Sequence, residues 1–162
     1  MISFNLFMLG FQKLTNEICM INIKNLRESE YYKILKIEND LFDNKMSYKE
    51  LKSFTNQVYF KIWKIEMDQI IGYVSFFHIK DEVEIIKIGI IKSHQRKNYG
   101  SLLIEEIKKL RIKKIYLEVS TINNNAINFY LKHGFQKIGK RKGYYKDKKN
   151  SRIDALKLCF KF

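Results

Sequence analysis

The sequence predicts an α/β fold in which helices flank one central sheet, and three observations carry that expectation. Stretches with apolar residues at period two interleave with stretches at three- and four-residue spacing, in the order β-α-α-β-β-β-α-β-α-β-β. The length, 162 residues, suits a single compact domain, and a chain of this size buries roughly 70% of its unfolded surface without staples. The composition, 46% hydrophobic and 30% charged, is globular, and the absence of proline excludes polyproline and collagen-like segments.

The elements follow in order. Residues 20–26 alternate apolar and polar and read as a strand. A first helix begins near Ser29, with Tyr31, Ile34 and Leu41 on one spacing and Tyr32, Leu35 and Asn39 on another. Ser47 followed by Glu50 predicts a capping box, because the serine oxygen satisfies an orphan helix N–H and the glutamate reaches back; the second helix then runs to Phe54. Residues 58–66 and 70–79 are β-rich and separated by Met67, Asp68 and Gln69, which predicts a hairpin. Residues 84–91 are nearly continuously apolar, as expected of a central strand buried on both faces. A polar turn over 92–98 leads into the best helix, with Tyr99, Leu102, Leu103, Ile107 and Leu110 on one face. In the strand over 113–119, Ile115, Leu117 and Val119 face one way, and Tyr116, Glu118 and Ser120 the other. A helix from 123–125 runs to about Lys132 and ends at Gly134, which tolerates a left-handed backbone. Residues 135–141 and 153–162 close the sheet.

The net charge is +14, from 31 basic and 17 acidic residues. The lysines are spread along the chain, and the one dense run is 140–149, interrupted by Tyr144, Tyr145 and Asp147. An acidic small ligand fits this charge as well as a nucleic acid does. Cys19 and Cys159 are far apart and have no metal-like spacing. They are expected to be inert core thiols in a reducing, cytoplasmic setting, with no zinc site. Residues 1–11 are uncharged and apolar but too few to span a bilayer, which takes about 20. They lack the basic start and cleavage site of a signal peptide. Residues 1–19 are read as an extension outside the domain, or as the product of a start assigned too far upstream, and 20–162 as the domain.

The chemistry concentrates where the strand over 84–91 feeds the turn and the turn opens a helix. Free N–H groups and the positive end of the helix dipole converge there, and Gln95, Arg96 and Lys97 add donors and charge. A pyrophosphate suits that point. Close helix packing at Gly100 with solvated basic residues is the plainer alternative. The turn is neither a P-loop nor a dinucleotide fingerprint, since the required Gly-Lys-Ser/Thr and paired glycines are missing.

The run Gln95-Arg96-Lys97-Asn98-Tyr99-Gly100, followed by Ser101, resembles the acetyl-CoA signature of the GNAT acetyltransferases, with Asn98 where that family has glycine. Asn is the next most tolerant residue for a left-handed backbone. The resemblance continues through Leu117-Glu118-Val119, Asn123, Ala126-Ile127-Asn128-Phe129-Tyr130 and Gly134-Phe135, and covers about residues 20–162. It implies a single GNAT fold with a mixed, mostly antiparallel sheet. The pair Glu118 and Tyr130, with Arg141 ahead of Tyr144-Tyr145 and Asp154-Ala155 beyond, is similar to the RimI type, which acetylates N-terminal α-amines of bacterial ribosomal proteins. Phe42-Asp43-Asn44 departs from the Phe-Pro-Trp common there after the first helix.

The resemblance implies acetyl-CoA as co-substrate, no metal, and a protein or peptide N-terminus, a ribosomal protein included, as acceptor. It implies Glu118 as base, directly or through water; a lysine-paired surface carboxylate is the plainer reading. It implies Tyr130 as hydrogen-bond donor or acid toward the leaving thiolate, against a core aromatic. The main chain of Ile88, Gly89 and Ile90 is implied to bind the cofactor. Asn123 stands either at the base of the cofactor site or simply as a helix cap. Tyr144 and Tyr145, in the loop between the last strands, are implied to grip the acceptor with Phe42 on the opposite wall; an exposed tyrosine pair amid lysines also suits nucleic-acid stacking. A lysine side chain, a polyamine or another small amine is the rival acceptor, and a non-enzymatic nucleic-acid module the rival class.

Overall fold

The computed structural model describes residues 20–146 and 150–162. The expected extension 1–19 with Cys19, and residues 147–149 of the basic run, lie outside the described residues. The described elements follow the predicted order: β1 Asn22–Asn25, α1 Tyr31–Leu41, α2 Tyr48–Thr55, β2 Phe60–Glu66, β3 Ile70–Ile79, β4 Glu82–Ile90, α3 Tyr99–Lys108, β5 Lys114–Ser120, α4 Asn124–Lys132, β6 Gln136–Lys146 and β7 Arg152–Lys161. The sheet order is β1-β2-β3-β4-β5-β7-β6, and every pairing is antiparallel except β4 with β5. Among the described residues no helix is long and apolar enough to cross a membrane.

Local signals are met where local chemistry decides them. Ser47 Oγ accepts from the Glu50 N–H at 3.2 Å while Glu50 Oε2 accepts from the Ser47 N–H at 2.8 Å, the predicted capping box. Gly134 ends α4 at φ 85°, a left-handed value that glycine adopts without steric cost. The first helix is preceded by a 3₁₀ turn, Glu28–Glu30, and buries Tyr31, Ile34, Ile37 and Glu38, leaving Tyr32 in solvent. In α3 the buried set is Leu103, Ile104 and Ile107, with Leu102 exposed instead.

Two expectations need correction. β4 is central but is not buried on both faces, because Glu84 and Ile86 are exposed. The strand covered on both sides is β3, buried from Ile70 through Phe76. The reason is layering. On one face α3 and α4 pack Leu103, Ile107 and Ile127 onto Val74, Ile85, Ile115 and Leu117. On the other, α1 and α2 pack Ile34, Ile37 and Leu51 onto Phe60, Ile62 and Tyr73. Each such side chain contributes about 1.5–3 kcal/mol of transfer free energy. The second correction is that β6 continues to Lys146, so Tyr144 and Tyr145 stand in the strand and not in a loop.

Cys159 on β7 is buried, and that burial pushes its thiol up, consistent with the inert role expected of it.

At the sheet's other edge, Lys64 is almost wholly buried and its Nζ pairs with Glu30 at 2.6 Å and Glu66 at 2.5 Å. Arg27 pairs with Glu30 at 2.9 Å, and Lys24 with Glu66 at 3.2 Å. The hydrogen bond from Arg27, helped by that from Lys64, lowers the Glu30 carboxyl to about 2. A depressed folded-state value contributes stability above the unfolded carboxylate range, and that stability is lost as pH falls from about 4.5 toward 2. Glu30→Gln is therefore expected to lower unfolding free energy by about 2 kcal/mol at neutral pH, the worth of a charged hydrogen bond. In urea titrations the gap from the parent protein should close across that acidic window; a gap independent of pH would remove the assignment.

Candidate active site

The site begins where two strands part. β4 and β5 pair only from Glu82↔Lys114 to Ile85↔Leu117. Between β3 and β4 the register passes from Phe76↔Ile85 to Ser75↔Lys87, so Ile86 is an extra residue, a bulge that bends β4 immediately after its last contact with β5. Beyond it, β4 stays paired with β3 as far as Gly72↔Ile90, while β5 stays paired with β7 through Ser120↔Ala155. The facing edges of the two strands are left apart. Gln95 Nε2 donates to the Ile90 carbonyl at 2.8 Å on this side, whereas the Ile91 N–H turns to Ile71 O on β3. By strand alternation the main chain of Ile88 also faces the gap.

A cleft of about 770 Å³ opens there. Of the predicted cofactor residues, Ile88, Ile90, Gln95, Arg96, Asn98, Tyr99, Gly100, Ser101 and Asn123 line it. Gly89 and Lys97 do not: Gly89 faces Leu41, Phe42 and Tyr73 across the sheet, and Lys97 is exposed outside the lining. Arg96 and Asn98 hold left-handed backbones, φ 61° and 65°, which turn the chain sharply into α3. The first N–H of this turn bonded within the helix is that of Leu102, to Asn98 O at 3.1 Å, so those of Tyr99, Gly100 and Ser101 remain for a ligand. A Cβ at Gly100 would stand in ordinary contact with Phe129, at 3.4 Å, so helix packing alone does not demand glycine there. Asn123 resolves as a helix cap, its side chain accepting from the Ala126 N–H at 3.1 Å, while it also lines the cleft.

Sequence reasoning missed the wall contributed by α4. Asn125, Asn128, Phe129 and Lys132 line the cleft at positions that share one helical face, a spacing that could have revealed them. His133 also lines it, with Ser101 Oγ 3.0 Å from its Nε2 and Glu105 Oε1 3.4 Å from its Nδ1. Only folding brings residues 101 and 133 together.

Glu118 and Tyr130 lie off this cleft. Glu118 is the first β5 residue past the last pair with β4, and it lines a smaller cavity of about 280 Å³ with Glu84, Tyr116 and Lys157. Its carboxylate stands 3.4 Å from Arg141 and 3.6 Å from Lys157, so it does carry the cationic neighbours of the plainer reading. Tyr130 sits within the core, edge-on to Phe129 and Phe135. Burial pushes its hydroxyl far up, and the neighbouring Tyr145 adds to the effect. The Tyr145 hydroxyl, itself pushed up to about 12 by burial, donates to the Glu118 carbonyl at 3.1 Å.

A wide irregularity between Arg141↔Ala155 and Tyr145↔Ile153 sets these tyrosines. Gly143 takes φ 58° and its N–H donates to Asp154 Oδ1 at 2.9 Å. Tyr144 is half-exposed under the Arg141 guanidinium, 4.0 Å from the ring centroid. With one hydroxyl committed to the backbone and one ring covered by arginine, the pair is poorly suited to stacking bases. Phe42 stands beside Gly89, and among the described residues the rings of Tyr144 and Tyr145 pack on each other with no ring contact to Phe42.

This geometry, a parted strand pair opening onto a helix start, is accompanied by a sequence match over residues 21–135 to the acetyltransferase (GNAT) family. The chain belongs to that family. N-alpha-acetyltransferase RimI of Mycobacterium tuberculosis is 36% identical over 66 residues, 40% of this chain and 42% of that protein. The chain spans about half the length of the curated relatives it matches. Among solved structures, the Escherichia coli ribosomal-protein-S18-alanine N-acetyltransferase has a TM-score of 0.80 at 22% identity, covering 88% of this chain and 94% of its own. Arabidopsis thaliana NAA60 in complex with acetyl-CoA gives 0.76 at 16% identity, covering 88% and 99%. These likenesses place the GNAT fold over the strands and helices described above.

The left-handed turn yields a test. In this GNAT domain Asn98→Ala should lose about 1 kcal/mol, and Asn98→Gly should lose none, by chemical denaturation. Equal losses would mean the backbone at 98 is not what the side chain serves.

Proposed function

We propose that the chain transfers an acetyl group from acetyl-CoA to a protein N-terminal α-amine. The observation that carries the reading is the gap between β4 and β5, with free N–H groups of the α3 start at one end and Glu118 just past the last β4–β5 pair. Arg96, Lys132 and the start of α3 suit a pyrophosphate, and the unpaired edge of β4 suits an amide-bearing arm laid along it. Relatives named N-alpha-acetyltransferases support the acceptor class.

Bound acetyl-CoA supplies a thioester to whose acyl carbon the amine nitrogen adds; the C–S bond then breaks as the carbonyl re-forms, and CoA leaves as thiolate. An α-amine with a pKa of about 8 is partly neutral at pH 7, so a base has only one proton to remove. Glu118 receives it, directly or through water. The Ile88 N–H, which faces the gap by strand alternation, is our candidate donor to the oxygen that becomes negative, held in advance by the strand. Burial disfavours the Tyr130 anion, and its resemblance to the family tyrosine gives it the role of donating a hydrogen bond or proton to the departing sulfur. Tyr144, Tyr145 and Phe42 flank the acceptor's path. A polyamine acceptor fits less well, because +14 repels a polycation at long range.

Mass spectrometry of peptides incubated with protein and acetyl-CoA tests the reading, using free α-amines, blocked α-amines with a lysine, and spermidine. Acetyl on the free α-amine alone is expected. Transfer only to lysine or spermidine would replace the acceptor, and transfer to none would defeat the proposal. Glu118→Gln and Tyr130→Phe should each cut turnover by about 10²- to 10⁴-fold with acetyl-CoA affinity retained in calorimetry; wild-type turnover in both would overturn the residue roles.

A further inference from the structure

The end of β4 has a second face, and it carries a charge pair, a buried carboxylate with a partly buried lysine, that the reaction above does not use. Glu38, in the last turn of α1, is wholly buried. One carboxylate oxygen accepts from the Tyr73 hydroxyl on β3. The other accepts from Lys87 Nζ at 2.6 Å and from the Met46 N–H at 3.2 Å. Lys87 Nζ also donates to the Asn44 carbonyl at 2.8 Å and stands 5.0 Å from the centre of the Phe42 ring. Apart from the bond within the pair and that from Tyr73, these bonds end on the segment 42–46, which lies between α1 and α2.

We infer that the Lys87–Glu38 pair positions segment 42–46 against β4 for acceptor recognition, as a clamp on its main chain at Asn44 and Met46 and on the Phe42 ring. This rests on the acetyltransferase reading for its function, though not for its structure. Hydrophobic packing would hold the segment near the sheet, but packing is non-directional, whereas two main-chain bonds to the pair are directional. Burying an ion pair is costly, and apolar residues of similar size commonly stabilise a fold as well or better. The pair's distinctive contribution is therefore geometric. Its location gives that geometry a use: Lys87 and Gly89 project from β4 toward Phe42, while Ile88 and Ile90 project from the same four residues into the cofactor cleft. At Gly89 a Cβ would come within 3.3 Å of the Phe42 ring, so the ring lies directly on the strand. Lys87 and Glu38 act through Phe42 and are positioning residues.

The test uses the full chain, with Lys87→Met, Lys87→Arg and the double variant Glu38→Met/Lys87→Met, which leaves no unpaired charge and so preserves folding if the single variant does not. Amide hydrogen exchange by mass spectrometry should speed at least about tenfold over 42–46 in both Met variants, with β3 and β5 unchanged. With the best peptide of the panel, KM for peptide should rise at least about tenfold, KM for acetyl-CoA should stay within about twofold, and Lys87→Arg should recover part of the loss. Unchanged exchange over 42–46 overturns the clamp. Faster exchange with an unchanged peptide KM overturns its role in acceptor recognition. A wild-type protein that acetylates nothing defeats the proposed function and the recognition role with it, and the exchange data still decide the clamp.

Discussion

The whole site depends on one interruption in the sheet. Strands β4 and β5 cannot stay paired past Ile85 and Leu117, because the bulged Ile86 turns β4 away while β7 keeps hold of β5. A parted strand pair in the middle of a sheet leaves polar main-chain edges that need partners. Gln95 meets one of them at the Ile90 carbonyl, and a ligand laid into the gap can meet others. The start of α3 lies over the opening, and Glu118 is the first β5 residue past the last pair, lining a separate smaller cavity. The parting of the strands, the start of α3 and the cleft thus adjoin the extra residue Ile86.

Strand alternation then divides the labour. Four consecutive residues, Lys87 through Ile90, serve two compartments, with the isoleucines toward the cleft and Lys87 and Gly89 toward α1. Since α1 and α2 cover β3 from one side and α3 and α4 cover the sheet from the other, the end of β4 is where both layers meet the opening. The charge pattern follows this division. Arg96 and Lys132 lie where an anionic ligand would sit, and Lys87 is bound to Glu38. Much of the +14 is spread over exposed positions away from the cleft lining.

Much was legible before folding. Element order, the Ser47–Glu50 box, the glycine end of α4 and the left-handed tolerance at Asn98 were all readable, because each is decided within a few residues by capping, periodicity or φ. The turn over 92–98 was legible for the same reason, and nine of the eleven predicted cofactor positions, strand and cap neighbours included, do line one cleft. What misled was hydrophobicity read as burial. The apolar run in β4 suggested cover on both faces, yet that cover falls on β3, since which strand lies under two helical layers depends on where helices dock and not on a strand's own composition.

The sequence by itself determined the elements, their order, the polar turn and the family likeness, all of which rest on local chemistry or on spacing along the chain. The tertiary structure alone decided that Ile86 is a bulge and that the two strands part. It also decided that Ser101 meets His133, that Tyr145 bonds the backbone of Glu118, and that Lys87 grips Glu38 across 49 residues. These are contacts between residues far apart in the chain, set by register and docking, and no pattern within a single segment specifies with which distant segment it will pair.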